Sequence, residues 1–146
     1  MASPRAGGSQ GLLRMLDANL NRASEGLRVA EDVLRFGYAN GPLSGETRRL
    51  RHDVGKVMLR VAPRGSLVAA RDSRRDVGAG RWQAGRPRRG VGDLLAANLR
   101  RAGESLGVLE EGARVVAAPA CCRSLQALRY RLYDLERRVT SACRVR

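Results

Sequence analysis

The chain has 146 residues, 43% of them hydrophobic, with 28 Lys or Arg against 14 Asp or Glu and a net charge of +14. That length suits one domain with its own core, and no apolar run approaches the ~20 residues of a membrane helix. The basic excess favours an anionic ligand, nucleic acid or a phosphorylated small molecule. Five aromatics, Phe36, Tyr38, Trp82, Tyr130 and Tyr133, are too few for a base-stacking platform.

Residues 1–10 carry no apolar signal-peptide region and are expected to be a disordered tail, which makes a cytoplasmic protein the default. A helix is predicted over Gly11–Tyr38, because Leu16, Leu20, Ala23, Leu27, Ala30 and Leu34 follow a 4-3-4-3-4 spacing. Asn40-Gly41-Pro42 reads as its stop. A second helix, Ser44–Val61, carries Leu50, Val54, Val57, Met58 and Val61. The segment 63–90 is long for a connection inside a small helical domain, and such connections tend to be functional or disordered. Its first half, Ser66–Val77, is expected to be ordered and its Gly- and Arg-rich second half mobile. A third helix, Val91–Ala118, repeats the apolar spacing with Leu95, Leu99, Ala102, Leu106, Leu109 and Ala113, and Pro119 reads as its stop. The fourth, Arg123–Cys143, carries Leu125, Leu128, Leu132, Leu135 and Val139. Cys121, Cys122 and Cys143 lack C-x-x-C spacing and His52 is the sole histidine, which argues against zinc. The adjacent cysteines are expected near a helix start as reduced thiols.

Ten of the eighteen residues of Ala18–Arg35 recur in register in Ala97–Arg114, seventy-nine positions later. The shared residues include Asn19/Asn98, Arg22/Arg101, Glu25/Glu104 and Glu31/Glu110. A weaker echo relates Leu50-Arg51-His52 to Leu128-Arg129-Tyr130, so the duplicated unit is a helical hairpin. The expected fold is all-α: hairpins at 11–62 and 91–143, pseudo-symmetric, forming a four-helix bundle with the linker 63–90 between them.

At 100° per residue, Asn19 and Glu31 fall at the edges of the apolar seam. Ala18, Arg22, Glu25 and Val29 fall on the far side, as do Ala97, Arg101, Glu104 and Val108. Their recurrence predicts that this face is covered by a ligand, a helix or a second subunit. The plainer alternative is that Arg22–Glu25 and Arg101–Glu104 are surface i,i+3 pairs. Glu31-Asp32 and Glu110-Glu111 are paired acids at equivalent positions, and Mg²⁺ is usually held by one or two carboxylates with phosphate oxygens and water. No G-x-x-x-x-G-K-[ST] is present. Anion binding therefore falls to Arg22, Arg28, Arg51, Arg71, Arg101 and Arg129, whose planar forks suit phosphate oxygens. His52 is either an acid–base group or a packed hairpin residue, the latter the more ordinary outcome.

Five blocks together resemble one family: D-A-N-L-N-R-A-S-E-G-L-R-V-A-E-D-V-L-R-F (17–36), L-R-H-D (50–53), A-A-R-D-S-R-R-D-V-G (69–78), A-A-N-L-R-R-A-G-E-S-L-G-V-L-E-E (96–111) and L-R-Y-R-L-Y-D-L-E (128–136). It is the monofunctional hydroxymethylpyrimidine-phosphate kinase family of thiamine biosynthesis, whose domain also occurs fused in front of thiamine-phosphate synthase. The resemblance spans Leu12–Arg138. It implies ATP- and Mg²⁺-dependent phosphorylation of 4-amino-5-hydroxymethyl-2-methylpyrimidine phosphate to the diphosphate. No synthase barrel follows Arg146, so coupling to the next step is expected to need a separate synthase. The Arg-rich Gly80–Gly90 segment departs from the resemblance.

Residue roles follow from the chemistry rather than from the family. Arg71, Asp72 and Asp76 of the linker are expected to meet Glu25 and Glu104 as the catalytic set, with Glu25, Glu104, Asp72 and Asp76 as metal ligands. Asn19, Arg22, Arg28, Arg51, Asn98, Arg101 and Arg129 are expected to bind substrate and phosphate. Two rival functions are a basic nucleic-acid-binding module and a non-catalytic partner of thiamine-phosphate synthase. A homodimer is also among the expected assemblies, and membrane association is not.

Overall fold

In the computed structural model, which describes residues 7–81 and 85–145, the chain is all-α. Four long helices, α1 (Gly7–Asp32), α2 (Gly41–Val61), α4 (Val91–Val116) and α5 (Pro119–Ala142), are joined by a linker carrying the short α3 (Arg64–Ala69). No helix among the described residues is long and apolar enough to cross a membrane.

The 4-3 seams are the core. Leu16, Leu27 and Leu34 of α1 and Leu95, Leu99, Leu106 and Leu109 of α4 are buried, with Leu50 and Met58 of α2 and Leu125 and Leu132 of α5. Each fully buried Leu contributes about 1.5–3 kcal/mol relative to exposure. Helix α1 packs on α2 and α4, and α5 packs on α4 and α2, so the four enclose one interior.

Helix ends depart from the expectation at both turns. Helix α1 already begins at Gly7, so residues 7–10 are helical; positions 1–6 of the expected tail lie outside the described residues. At its other end it widens into a π turn, Val33–Gly37, where the Tyr38 N–H donates to the Val33 carbonyl at 3.1 Å. Asn40-Gly41-Pro42 is a start, not a stop. The Asn40 side-chain oxygen accepts from the Leu43 N–H at 3.1 Å, and Pro42 lies in the first turn, where its missing N–H costs nothing. Pro119 likewise opens α5. Both sites read as stops because proline ends one helix and begins the next within a few residues. Cys121 and Cys122 are free thiols in the first turn of α5.

The backbones of α1 and α4 approach closely at Gly26. A Cβ placed on Gly26 would lie 2.7 Å from the Asn98 carbonyl oxygen and 3.4 Å from the Ala102 Cβ. Helix α2 meets α5 through charge: Arg138 binds Glu46, Arg131 binds Asp53 at 2.8 Å, and Arg60 reaches the Ser124 hydroxyl at 3.4 Å. The Arg138 guanidinium holds the Glu46 carboxyl below the usual Glu value.

Gly26→Ala should destabilise the protein by about 1–3 kcal/mol in urea unfolding although Ala favours helix, because backbone cannot move aside as a side chain can. The stability that Glu46 contributes should be complete above its ordinary pKa of 4.5 and be lost as pH falls through its lowered folded value. Glu46→Gln should therefore flatten the acid limb of stability measured against pH.

Candidate functional site

The linker folds back over α1. Leu67 of α3 and Ala70 are buried, and α3 contacts α1. Arg71 then grips Asp17 with both arms, Nε to Oδ2 at 2.6 Å and Nη2 to Oδ1 at 3.0 Å. This hydrogen-bonded carboxylate raises the Arg71 pKa further above its already high value. Arg14 adds a second tie, Nη2 to the Asp72 carbonyl at 3.1 Å. The Asp72 side chain caps a 3₁₀ turn, Ser73–Arg75, by accepting from the Arg75 N–H, and Asp76 accepts from the Gly78 N–H at 2.9 Å.

Between α1 and this strap lies a cavity of about 500 Å³. Arg14, Arg22 and Arg71 line it with Asp17, Asp72, Asp76 and Asn19. Three guanidinium groups and two linker carboxylates around one open space can hold a polyanion together with a divalent cation.

The structure thus gathers Arg71, Asp72, Asp76, Asn19 and Arg22, and separates the rest of the expected set. Asn19 and Asn98 are both buried and donate to the carbonyl one turn back, Met15 O and Leu94 O, each at 2.9 Å. Asn98 lies within the α1–α4 seam, its carbonyl against Gly26. Glu25 is paired with Arg101 at 2.8 Å across α1 and α4, instead of reaching the linker. Glu104 borders a different depression, with Tyr133 and Arg129. Arg28 pairs with Asp32 at 3.6 Å on the surface.

Arg51 and Arg129 are spoken for. Arg51 binds Glu31 at 2.8 Å and Arg129 binds Glu110 at 2.8 Å, each carboxylate being buried. The bonds to Glu110 and to the Tyr133 hydroxyl raise the Arg129 pKa. These matched clamps tie α1 to α2 and α4 to α5, so the repeated Glu31 and Glu110 hold hairpins together. Asp32 and Glu111 pair with Arg28 and Arg114. Among the described residues no three of His, Cys, Asp or Glu form a metal-binding group, so Glu25, Glu104, Asp72 and Asp76 do not converge. The far face is only partly covered: Ala18, Val29, Ala97 and Val108 are half-buried, while Arg22, Glu25, Arg101 and Glu104 are exposed. His52 is exposed on α2 and borders a separate groove. The sequence reading missed Asp17 and Arg14. Asp17 stands directly before the repeat, but its counterpart is Ala96, so an argument from recurrence discards it.

The chain matches the model of the ThiD2 family over residues 14–138. It belongs to that family. Thiamine-phosphate synthase of Synechocystis sp. is 44% identical over 92% of this chain and 36% of its own length. The Gloeobacter violaceus protein of the same name is 40% identical over 90% of the chain and 37% of its own length. One from a Synechococcus sp. is 41% identical over 84% and 34%. These relatives tie the domain to thiamine biosynthesis, and the chain spans about a third of their length. No solved structure matches. The family model covers both hairpins and the strap between them, and so includes every residue lining the cavity except Gly11.

Asp17→Asn should leave the helical signal of the protein intact while freeing the strap. Amide hydrogen exchange over residues 67–76 should accelerate, by about tenfold or more for the loss of a charge-assisted pair, and unchanged exchange would show that the pair does not hold the linker.

Proposed function

We propose that the protein is a kinase of thiamine biosynthesis, transferring the γ-phosphoryl group of ATP to 4-amino-5-hydroxymethyl-2-methylpyrimidine phosphate. The observation that carries this reading is the cavity between α1 and the linker, with Arg14, Arg22 and Arg71 facing Asp72 and Asp76. Its residues come from blocks 17–36 and 69–78 that carry the family resemblance, with Arg14 just before them.

In this reaction a phosphate oxygen of the pyrimidine monophosphate attacks the γ-phosphorus. The bond from that phosphorus to the β,γ-bridging oxygen breaks, and ADP leaves with the electron pair. The nucleophile is already ionised near neutral pH, since the second pKa of a phosphate monoester is about 6. The protein's work is therefore positioning and charge neutralisation. Arg22 has no acidic partner within 4 Å among the described residues and is free to take phosphate oxygens. Arg71 is pinned by Asp17 with its side chain still 46% exposed, which presents its remaining N–H groups to the cavity in a fixed direction. The donor set fits Mg²⁺: Asp72 and Asp76 would hold it together with phosphate oxygens, and the ion would supply charge neutralisation between the two polyanions.

A second reading, that the domain serves a thiamine-phosphate synthase without catalysing, is favoured by one fact. The relatives bearing that name are about three times as long as the matched region. Stable co-purification with a synthase and no ATP turnover by the isolated chain would select it.

The kinase reading is tested by incubating the protein with ATP, Mg²⁺ and the pyrimidine monophosphate. Diphosphate should form, and Arg22→Ala should cut turnover by about 10²–10³-fold, the usual size for a lost charge-stabilising donor, with unchanged thermal unfolding. Arg51→Ala should behave oppositely, costing about 3 kcal/mol of stability by stranding the buried Glu31 carboxylate. Absence of turnover at high enzyme concentration would remove the kinase reading.

A further inference from the structure

The duplication is broken at one place that the linker cavity does not explain. On the repeat, α2 positions map to α5 with an offset of seventy-eight: Val54 to Leu132, Val57 to Leu135 and Val61 to Val139, all buried. By the same offset His52 maps to Tyr130 and Gly55 to Tyr133, while Ser24 of α1 maps to Gly103 of α4.

In the second hairpin two tyrosines stand at the equivalent positions, and the depression that remains beside Tyr133 opens toward Glu104, Gly107 and Glu111 instead. Tyr133 lies over Gly103, where an added Cβ would be 3.6 Å from its ring. Tyr130 meets Tyr133 edge to face at 6.1 Å, with the Arg129 guanidinium over both rings. In the first hairpin no tyrosine stands at those positions. A Cβ on Gly55 would meet no atom within 4 Å, and Leu20 is half-buried where its counterpart Leu99 is 1% exposed. The result is a groove of about 440 Å³ between α1, α2 and α3. Its floor is apolar, from Leu20, Met58 and Leu67, and Leu59 stands 64% exposed at its edge. Asn21, Ser24 and His52 bring hydrogen-bonding groups to it.

Asn21 borders this groove and the linker cavity alike, one helical turn beyond Asp17. The strap also serves both, Leu67 lining the groove and Arg71 the cavity. A ligand with a flat apolar end and an anionic end could thus lie across the strap side of α1. A glycine in mid-helix costs about 1 kcal/mol against alanine, and at position 55 no close packing requires one.

We infer that this groove is the binding site for a flat nitrogen heterocycle whose attached phosphate reaches the linker cavity, in the place the second hairpin fills with its own tyrosine. Aromatic faces pack on the Leu and Met floor, and ring nitrogens and amino groups are met by the Asn21 amide, the Ser24 hydroxyl and the His52 imidazole. The inference rests on the kinase reading only for which ring enters: the aminopyrimidine of the acceptor or the adenine of the donor.

The test uses the full chain and phosphate-free probes, so that it reads the groove rather than turnover. 4-Amino-5-hydroxymethyl-2-methylpyrimidine and adenosine are each titrated by calorimetry and by NMR, with inorganic pyrophosphate as the probe of the linker cavity. One of the two rings should bind the wild-type protein and shift the resonances of Ser24, His52 and Gly55; which one identifies the source. Gly55→Tyr, which copies the second hairpin and has open space for its side chain, should weaken that ring by about tenfold or more, the scale of 1.4 kcal/mol. Pyrophosphate affinity should stay unchanged. Should Gly55→Tyr unfold, Leu59→Glu at the exposed edge carries the same expectation. Failure of both rings to bind at millimolar concentration, or undiminished ring binding in the folded variant, overturns the inference. Ring binding lost in Gly55→Tyr without ATP turnover by the wild type would keep the site and remove the kinase; turnover untouched by Gly55→Tyr would do the reverse.

Discussion

Helices α1 and α4 touch so closely at Gly26 that the two hairpins are fused along one line, and most other features follow from that contact. With Gly26 against the Asn98 carbonyl and the Ala102 methyl, there is no room for side chains between the two backbones. The two buried amides beside the seam are turned to local use, Asn19 and Asn98 each bonding the preceding turn of its own helix, while Glu25 and Arg101 bridge the seam at its exposed edge. Helix α2 lies against α1, α5 lies against α4, and the two meet each other. The chain leaving α2 must then return across α1 to reach the start of α4, and the strap with its Arg71–Asp17 clasp is that return path.

Much of the fold was legible because the 4-3 spacing of large apolar residues is imposed by burial alone. Every member of the α1 and α4 seams is buried except Leu20. What periodicity could not reveal was the chemistry of the ends: a proline, lacking an N–H, fits the first turn of a helix, where that N–H has no partner to lose, and Pro42 and Pro119 therefore open the following helices. The site was legible in part. Recurrence correctly flagged Glu31 and Glu110, but for packing: a carboxylate buried between two helices needs its arginine in both copies, whatever the ligand. Arg71, Asp72 and Asp76 were found from the linker, outside the repeat. Asp17 was missed because its counterpart, Ala96, is silent, and a singular residue leaves no mark in a search for pairs.

That failure has a physical cause with wider reach in this molecule. Duplication yields two equivalent surfaces, and each can then be closed or left open independently. The second hairpin sets Tyr133 over Gly103 and buries Leu99, whereas the first has open space at Gly55 and leaves Leu20 half-buried. Likewise the strap covers α1, where Asp17 receives it. Asp17, Ser24, His52 and Gly55, which differ between the copies, all lie on the open side of the first hairpin, whereas Glu31 and Glu110, which agree, clamp each hairpin shut.

The charge of the protein divides along the same line. Many arginines are neutralised in place: Arg51, Arg101, Arg129, Arg131 and Arg138 each meet a carboxylate on another helix. Such pairs spend charge on architecture and leave little field for a ligand. Arg22 and Arg14 have no carboxylate within 4 Å among the described residues, and Arg71 meets only Asp17, so the cavity they share keeps guanidinium groups that no ion pair fully occupies, beside Asp72 and Asp76. A diffuse basic surface would serve a nucleic acid equally well along its length. Three guanidinium groups set beside the two aspartates of a strap suit the proposed small polyanion with its own cation better than an extended one.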